Sequence, residues 1–233
     1  MRIRARTLVP ILAAVGVVAG LRVVATEATE ATAEPPNAGG GTAAAAAQVA
    51  QISGDPNKPR RHFRVRDAAD VSAAEAAEVY RGMAPGMADA YATSREPAAM
   101  SYQDWLRYNT APYRSATHGR RYANNYANEI AQAYGRFEQA GTLPVGSLLA
   151  KDSFAILADG KALPGPLFVM EKMPAGFNYV SGDWRYSMIM PDGSLFGVTK
   201  GVNAERVEYC IGCHLAAEKH DHLYFVPEDV RPK

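Results

Sequence analysis

The chain has 233 residues, a formal net charge of +1 and 21% charged residues. So balanced a charge implies no nucleic-acid partner and no strong attraction to a membrane surface, and neither a P-loop nor a dinucleotide fingerprint is present. With two cysteines in the whole chain, a disulfide framework is excluded.

The N-terminus reads as an export signal. Arg2, Arg4 and Arg6 form a positive n-region, and Leu8 to Leu21 form a short apolar run. Small residues come next, with Val23-Val24-Ala25 and Ala31-Thr32-Ala33 as cleavage sites. Residues 1–25 are therefore expected to be a signal peptide and the protein to be periplasmic. An uncleaved signal anchor is the competing reading, although the apolar run is short for a membrane span. No cysteine lies nearby, which excludes a lipoprotein anchor. Residues 26–66 are low in complexity, with Pro35-Pro36, a Gly39 to Gly41 run and alanines from Ala43 to Ala47. Such a composition cannot bury enough apolar surface to offset its ordering entropy, so a flexible tether is expected.

Residues 67–96 read as a helical accessory segment. Ser72-Ala73-Ala74-Glu75 is a capping box that opens a helix. Gly82 and Pro85 are expected to interrupt it near Arg81, with Met87 to Thr93 as a second piece. The sequence leaves open whether this segment packs on the domain after it.

Residues 97–227 have the length of one compact domain. Tyr102 to Arg107 reads as a short helix and His118 to Tyr126 as extended chain. Asn128 to Ala140 reads as a helix capped by Asn128 and stopped by Gly141, with Ile130, Tyr134 and Phe137 on one face. Strand signals come at Ser147–Ala158, Leu167–Met173, Trp184–Met190 and Leu195–Thr199. Asp159-Gly160 and Pro191-Asp192-Gly193 mark turns between them. The fold class is therefore α+β: an antiparallel meander flanked by helices, with a last helix that begins near Asn203.

That last helix carries Cys210-Ile211-Gly212-Cys213-His214, the CxxCH signature of c-type haem attachment. On a helix, positions i, i+3 and i+4 share a face. Cys210 and Cys213 can then both form thioethers with the haem vinyl groups, and His214 becomes the proximal iron ligand. One covalently attached haem c is the expected cofactor. The competing readings are a redox CxxC pair, which usually accompanies a βαβ pattern absent here, and a zinc site completed by His220 and His222. The Lys219-His220-Asp221-His222 stretch reads better as a turn, in which Asp221 could orient the backbone or His214. Met170, Met173, Met188, Met190 and His118 are the internal candidates for the sixth iron position. At their spacing the methionines read as core, and His118 in its polar stretch as surface or supporting.

The chain resembles the cytochrome P-460 family, which also includes the cytochromes c′-beta. The resemblance covers about Ser101 to Pro227. It is carried by Tyr102-Gln-Asp-Trp105, Gly146-Ser-Leu-Leu-Ala-Lys151-Asp152, Asp183-Trp184-Arg-Tyr186 and the late CxxCH with Asp221 beyond it. It implies a lysine, Lys151, joined covalently to a haem meso carbon, which would alter the electronics of the ring. Strand lysines are more often solvated, and the alternation of Leu149, Lys151 and Ser153 against Leu148, Ala150 and Phe154 leaves both readings open. The resemblance also implies an open distal site that oxidises hydroxylamine and passes electrons to a soluble cytochrome acceptor. Alternatives are nitric oxide binding without turnover, as in the c′-beta proteins, and six-coordinate electron transfer. A homodimer formed through the sheet is a further implication. Family enzymes place a phenylalanine, an arginine and sometimes a carboxylate above the iron. Arg120, Arg121, Tyr122 and Tyr126 occupy the corresponding segment without a phenylalanine, and Glu171 and Asp183 are the nearest carboxylates.

Overall fold

The structure is a computed structural model and describes residues 64–233. The signal peptide expected over residues 1–25, and the tether expected over 26–66 except its end at 64–66, lie outside the described residues. No helix among the described residues is long and apolar enough to cross a membrane.

The described chain is α+β, built on one antiparallel sheet of eight strands. In chain order these are β1 (Leu106–Arg107), β2 (Tyr113–Arg114), β3 (Tyr122–Ala127), β4 (Leu148–Ile156), β5 (Ala162–Pro164), β6 (Leu167–Lys172), β7 (Trp184–Ile189) and β8 (Leu195–Val198). The helices are α1 (Ala73–Ala92), α2 (Pro97–Ser101) and α3 (Glu208–His214). The main path across the sheet is β1-β3-β4-β6-β7-β8, while β2 adds to β3 and β5 to β4. The four long strand signals thus become β4, β6, β7 and β8, a meander. Strands of two or three residues carry too short a pattern to read, so β1, β2 and β5 leave no signal in the sequence. The helix expected at Tyr102–Arg107 is displaced toward the N-terminus. Helix α2 and one 3-10 turn at Tyr102–Asp104 precede Trp105, and Leu106 and Arg107 pair with Ala127 and Tyr126.

Helix α1 runs unbroken through Gly82, Pro85 and Gly86, contrary to the expected interruption. Ser72 caps it by accepting from the Glu75 N–H at 3.2 Å. Pro85 costs about 3 kcal/mol inside a helix. Against that cost, Ala76, Tyr80, Ala84, Met87 and Tyr91 fall at spacings of three and four and are all buried against the sheet. Burial of a large side chain is worth about 1.5–3 kcal/mol, so packing of the two tyrosines and the methionine outweighs the proline. Helix α1 is therefore one layer of the core, sharing a cluster with Tyr122, Tyr126, Ala150 and Phe154.

The segment after β3 also differs from expectation. Asn128 caps it, accepting from the Ala131 N–H at 3.1 Å, and Gly141 ends it at φ 69°. Its turns at Glu129–Gln139 are 3-10, broken at Phe137. Three residues per turn align Ala131 with Tyr134, and both are buried, whereas Ile130 is 51% exposed. Of the face expected from an α-helical period, Tyr134 is buried and Phe137 half-buried, while Ala131 takes the place of Ile130.

A polar network is buried between α1 and the sheet. The Tyr80 hydroxyl donates to Asp152 Oδ2 at 2.5 Å, and Asn124 Nδ2 donates to Oδ1 at 3.0 Å. Burial pushes the Asp152 carboxyl up to about 6, against the opposing effect of these hydrogen bonds. The folded state therefore holds this proton more tightly than the unfolded chain. The contribution of Asp152 to stability should rise as pH falls from about 6 to about 4. In urea titrations across that range, Asp152→Asn should flatten this component of the slope; an unchanged slope would contradict it.

Candidate cofactor site

The sheet register sets two parallel rungs of side chains on the face opposite α1. Ala127, Leu149, Met170 and Tyr186 form one; Asn125, Lys151, Phe168 and Met188 form the other. Successive rungs on one face lie about 7 Å apart, twice the rise per residue. Above them, α3 and the loop between β2 and β3 enclose a cavity of about 390 Å³. Cys210, Cys213 and His214 all line it, as does Lys151. The CxxCH motif and the strand lysine, far apart in the chain, thus share one cavity.

His214 is held in one tautomer. Its Nδ1 lies 2.7 Å from the His222 carbonyl oxygen. A carbonyl only accepts, so Nδ1 carries the proton and Nε2 is left with a free lone pair. The ring stands edge-on to Tyr186 at 5.1 Å and to Tyr224 at 5.2 Å. Burial lowers its pKa to about 4, with a smaller contribution from Lys151 against the supporting carbonyl bond. A neutral imidazole with a free Nε2 is the form that ligates a metal.

The carbonyl that fixes His214 is itself fixed. Asp221 and His222 are both left-handed, at φ 56° and 62°. Asp221 Oδ1 forms a buried ion pair with Lys172 Nζ at 2.5 Å, and Oδ2 accepts the Leu143 N–H at 2.9 Å. The Asp221 carbonyl accepts from Trp184 Nε1 at 2.8 Å. Gly182, at φ 60°, makes room for the His222 ring: a Cβ there would stand 2.5 Å from His222 Cδ2. The stretch is thus a turn that serves His214. Among the described residues no cluster of three or more His, Cys, Asp or Glu side chains could hold a metal ion.

Cys210 and Cys213 are not joined in a disulfide. Burial, and then Cys213, push the Cys210 thiol up to about 12. Redox-active CxxC cysteines are shifted the opposite way, so the environment does not fit the redox reading. The Lys151 amine forms no side-chain hydrogen bond or ion pair with a described residue, and burial lowers it to about 8. The Tyr186 hydroxyl is buried beside the same cavity without a partner. Two thiols, a free imidazole nitrogen, an unpaired amine and apolar walls are together a donor set that fits a c-type haem.

The opposite wall corrects several expectations. Tyr122 and Tyr126 turn toward α1, Arg120 is exposed, and Arg121 is buried without lining the cavity. Glu171 pairs with Arg185, and Asp183 accepts the Asn178 N–H at 2.8 Å, so neither carboxylate reaches the site. Met188 and Met190 pack with Val207 as expected of core, whereas Met170 lines the cavity. Phe168 of β6 also lines the cavity. His118, expected at the surface or in a supporting role, stacks edge-on to Phe168 with centroids 4.6 Å apart and lines the cavity.

The buried Lys172–Asp221 pair should behave as a unit. Lys172→Met, which strands the carboxylate, should cost about 3–5 kcal/mol of stability. Lys172→Met with Asp221→Asn should recover part of that loss in denaturant unfolding; strict additivity would contradict the coupling.

The cytochrome P460 family model matches residues 99–225, which run from α2 through every wall of the cavity to Phe225. No match was found among the curated proteins. The matched stretch is more than half of the chain and holds β4, the cavity and the CxxCH motif, so the chain belongs to the cytochrome P460 family of haem cytochromes.

Proposed function

We propose that this protein is a periplasmic mono-haem c-type cytochrome that oxidises hydroxylamine at an open iron site and passes the electrons to a soluble cytochrome. Cys210 and Cys213 would hold the haem by thioethers, each formed by adding S–H across a vinyl group without net electron transfer. His214 Nε2 would ligate the iron, which supplies the redox chemistry when bound. The export signal read in the N-terminal sequence is consistent with this reading, because haem c is attached outside the cytoplasm.

The observation that carries the proposal is the Lys151 amine. It lies in the same cavity as the CxxCH motif and has no protein partner. Burial brings the amine to about 8, so a sizeable neutral, nucleophilic fraction exists near neutral pH. Joining it to a haem meso carbon replaces one N–H and one C–H by C–N. Two protons and two electrons leave, the electrons to an external oxidant. A second reading, capture of nitric oxide without turnover, draws support from the apolar Leu149, Phe168 and Met170 on the cavity wall.

Lys151→Ala decides between them. In the proposed enzyme the ferrous Soret band should be strongly red-shifted in the wild type and revert in the variant, with hydroxylamine oxidation lost. An ordinary high-spin spectrum, the same in both proteins and without turnover, would overturn the proposal in favour of nitric oxide binding.

A further inference from the structure

The cavity wall contains a second histidine that the family match does not assign. His118 lies on the loop between β2 and β3, with its ring over Phe168, while the His214 ring stands over Tyr186. Phe168 and Tyr186 belong to adjacent rungs on neighbouring strands, because Phe168 pairs with Met188 and Met170 with Tyr186. The two imidazoles therefore stand about one rung apart over one cavity.

The nitrogens of His118 have different surroundings. Nδ1 lies 3.1 Å from Ser115 Oγ and 3.2 Å from Thr117 Oγ1. Ser115 Oγ also accepts the His118 backbone N–H at 3.3 Å, which fixes the ring's base. A hydroxyl both donates and accepts, so these partners satisfy Nδ1 whether or not it carries a proton. Nε2 forms no hydrogen bond with any described residue. Ser115 is buried and Thr117 exposed, so the pair leads from the ring to solvent. Asn125, which also lines the cavity, is committed. Asn125 accepts from the Tyr113 hydroxyl at 2.8 Å and donates to the Tyr134 hydroxyl at 2.7 Å.

We propose that His118 is the proton relay of this cavity: Nε2 takes the proton of a small ligand held there while Nδ1 releases its own through Thr117 to water. The proposal rests on the reading that a haem is bound on His214 with its other side open. In the step, the bond from hydrogen to the ligand atom breaks and the electron pair stays on the ligand. The proton reaches Nε2, and the Nδ1 proton passes to the Thr117 hydroxyl, which gives its own to water. No net charge is left on the ring, and no oxidant is needed. Paired transfer suits the site. Burial, and then Lys151 and His214, hold His118 well below the usual imidazole range, so a standing imidazolium is disfavoured. Lys151 and His214 are the groups whose charge acts on His118, and the tyrosines Tyr134, Tyr186, Tyr209 and Tyr224 and the thiols of Cys210 and Cys213 are the other titratable groups lining the cavity.

Cyanide and nitric oxide separate this role from packing. Cyanide arrives as HCN and must give up a proton to bind ferric haem; nitric oxide brings none. In His118→Leu, cyanide association should slow on the order of 100-fold, the usual scale for a lost general base, while nitric oxide association stays unchanged. Ser115→Ala/Thr117→Val, which keeps the imidazole, should slow cyanide in the same direction by a smaller factor. Equal effects on both ligands, or none on either, would reduce His118 to packing and overturn the relay. A low-spin wild type that becomes high-spin in His118→Leu would make His118 an iron ligand and also overturn it. Lack of hydroxylamine turnover alongside the predicted cyanide effect would sink only the proposed reaction and leave the relay standing.

Discussion

The hydrogen bond from the His214 Nδ1–H to the His222 carbonyl, 2.7 Å long, is the contact on which the cavity depends. It decides which imidazole nitrogen faces the open space. It exists because the chain turns through two consecutive left-handed residues, Asp221 and His222. L-residues enter that region at a cost of about 1–2 kcal/mol each. The cost is met by the Asp221 carboxylate, which ties the turn to Lys172 on β6 and to the Leu143 amide. Trp184 on β7 holds the same turn through the Asp221 carbonyl. The sheet thus orients the histidine on α3 through a backbone carbonyl, without touching its ring nitrogen directly.

The same sheet keeps two incompatible environments apart. On one face of β4, Asp152 is buried in a hydrogen-bonded network with Tyr80 and Asn124. On the other, the adjacent Lys151 has no partner and opens to the cavity. Their alternation is the two-residue period of a strand. A one-residue slip would bury the lysine against α1 and send the carboxylate into the cavity. The long pairing of β3 with β4, from Tyr122 with Phe154 to Ala127 with Leu149, holds that register.

Much of this is legible in the sequence. The CxxCH motif and the four long strands need only spacing and period, whereas the alternation along β4 has two mixed faces and does not show that Lys151 opens to the cavity. Asn128 and Ser72 are readable as caps because each sits just before its helical run. The features that escape sequence reasoning have identifiable causes. Pro85 signals a break, and only the tertiary burial of Tyr80, Met87 and Tyr91 overrides it. Ile130 lands on the wrong face because a 3-10 turn and an α-helix share the same residues but differ in period. Phe168 and His118 come from distant segments of the chain and meet only through the sheet. No local pattern pairs them. The polar setting of His118 leaves a surface and a supporting role open, and the loop between β2 and β3 carries its ring over the sheet onto Phe168.

The central claim is that one cavity holds a haem joined to both the CxxCH helix and the β4 lysine. Protease digestion of the haem-loaded protein, with tandem mass spectrometry of the products, tests it directly. The account predicts one haem-bearing species in which the peptide of Cys210 and Cys213 and the peptide of Lys151 are joined through the same macrocycle. Haem found on the cysteine peptide alone, with the Lys151 peptide recovered unmodified, would contradict it.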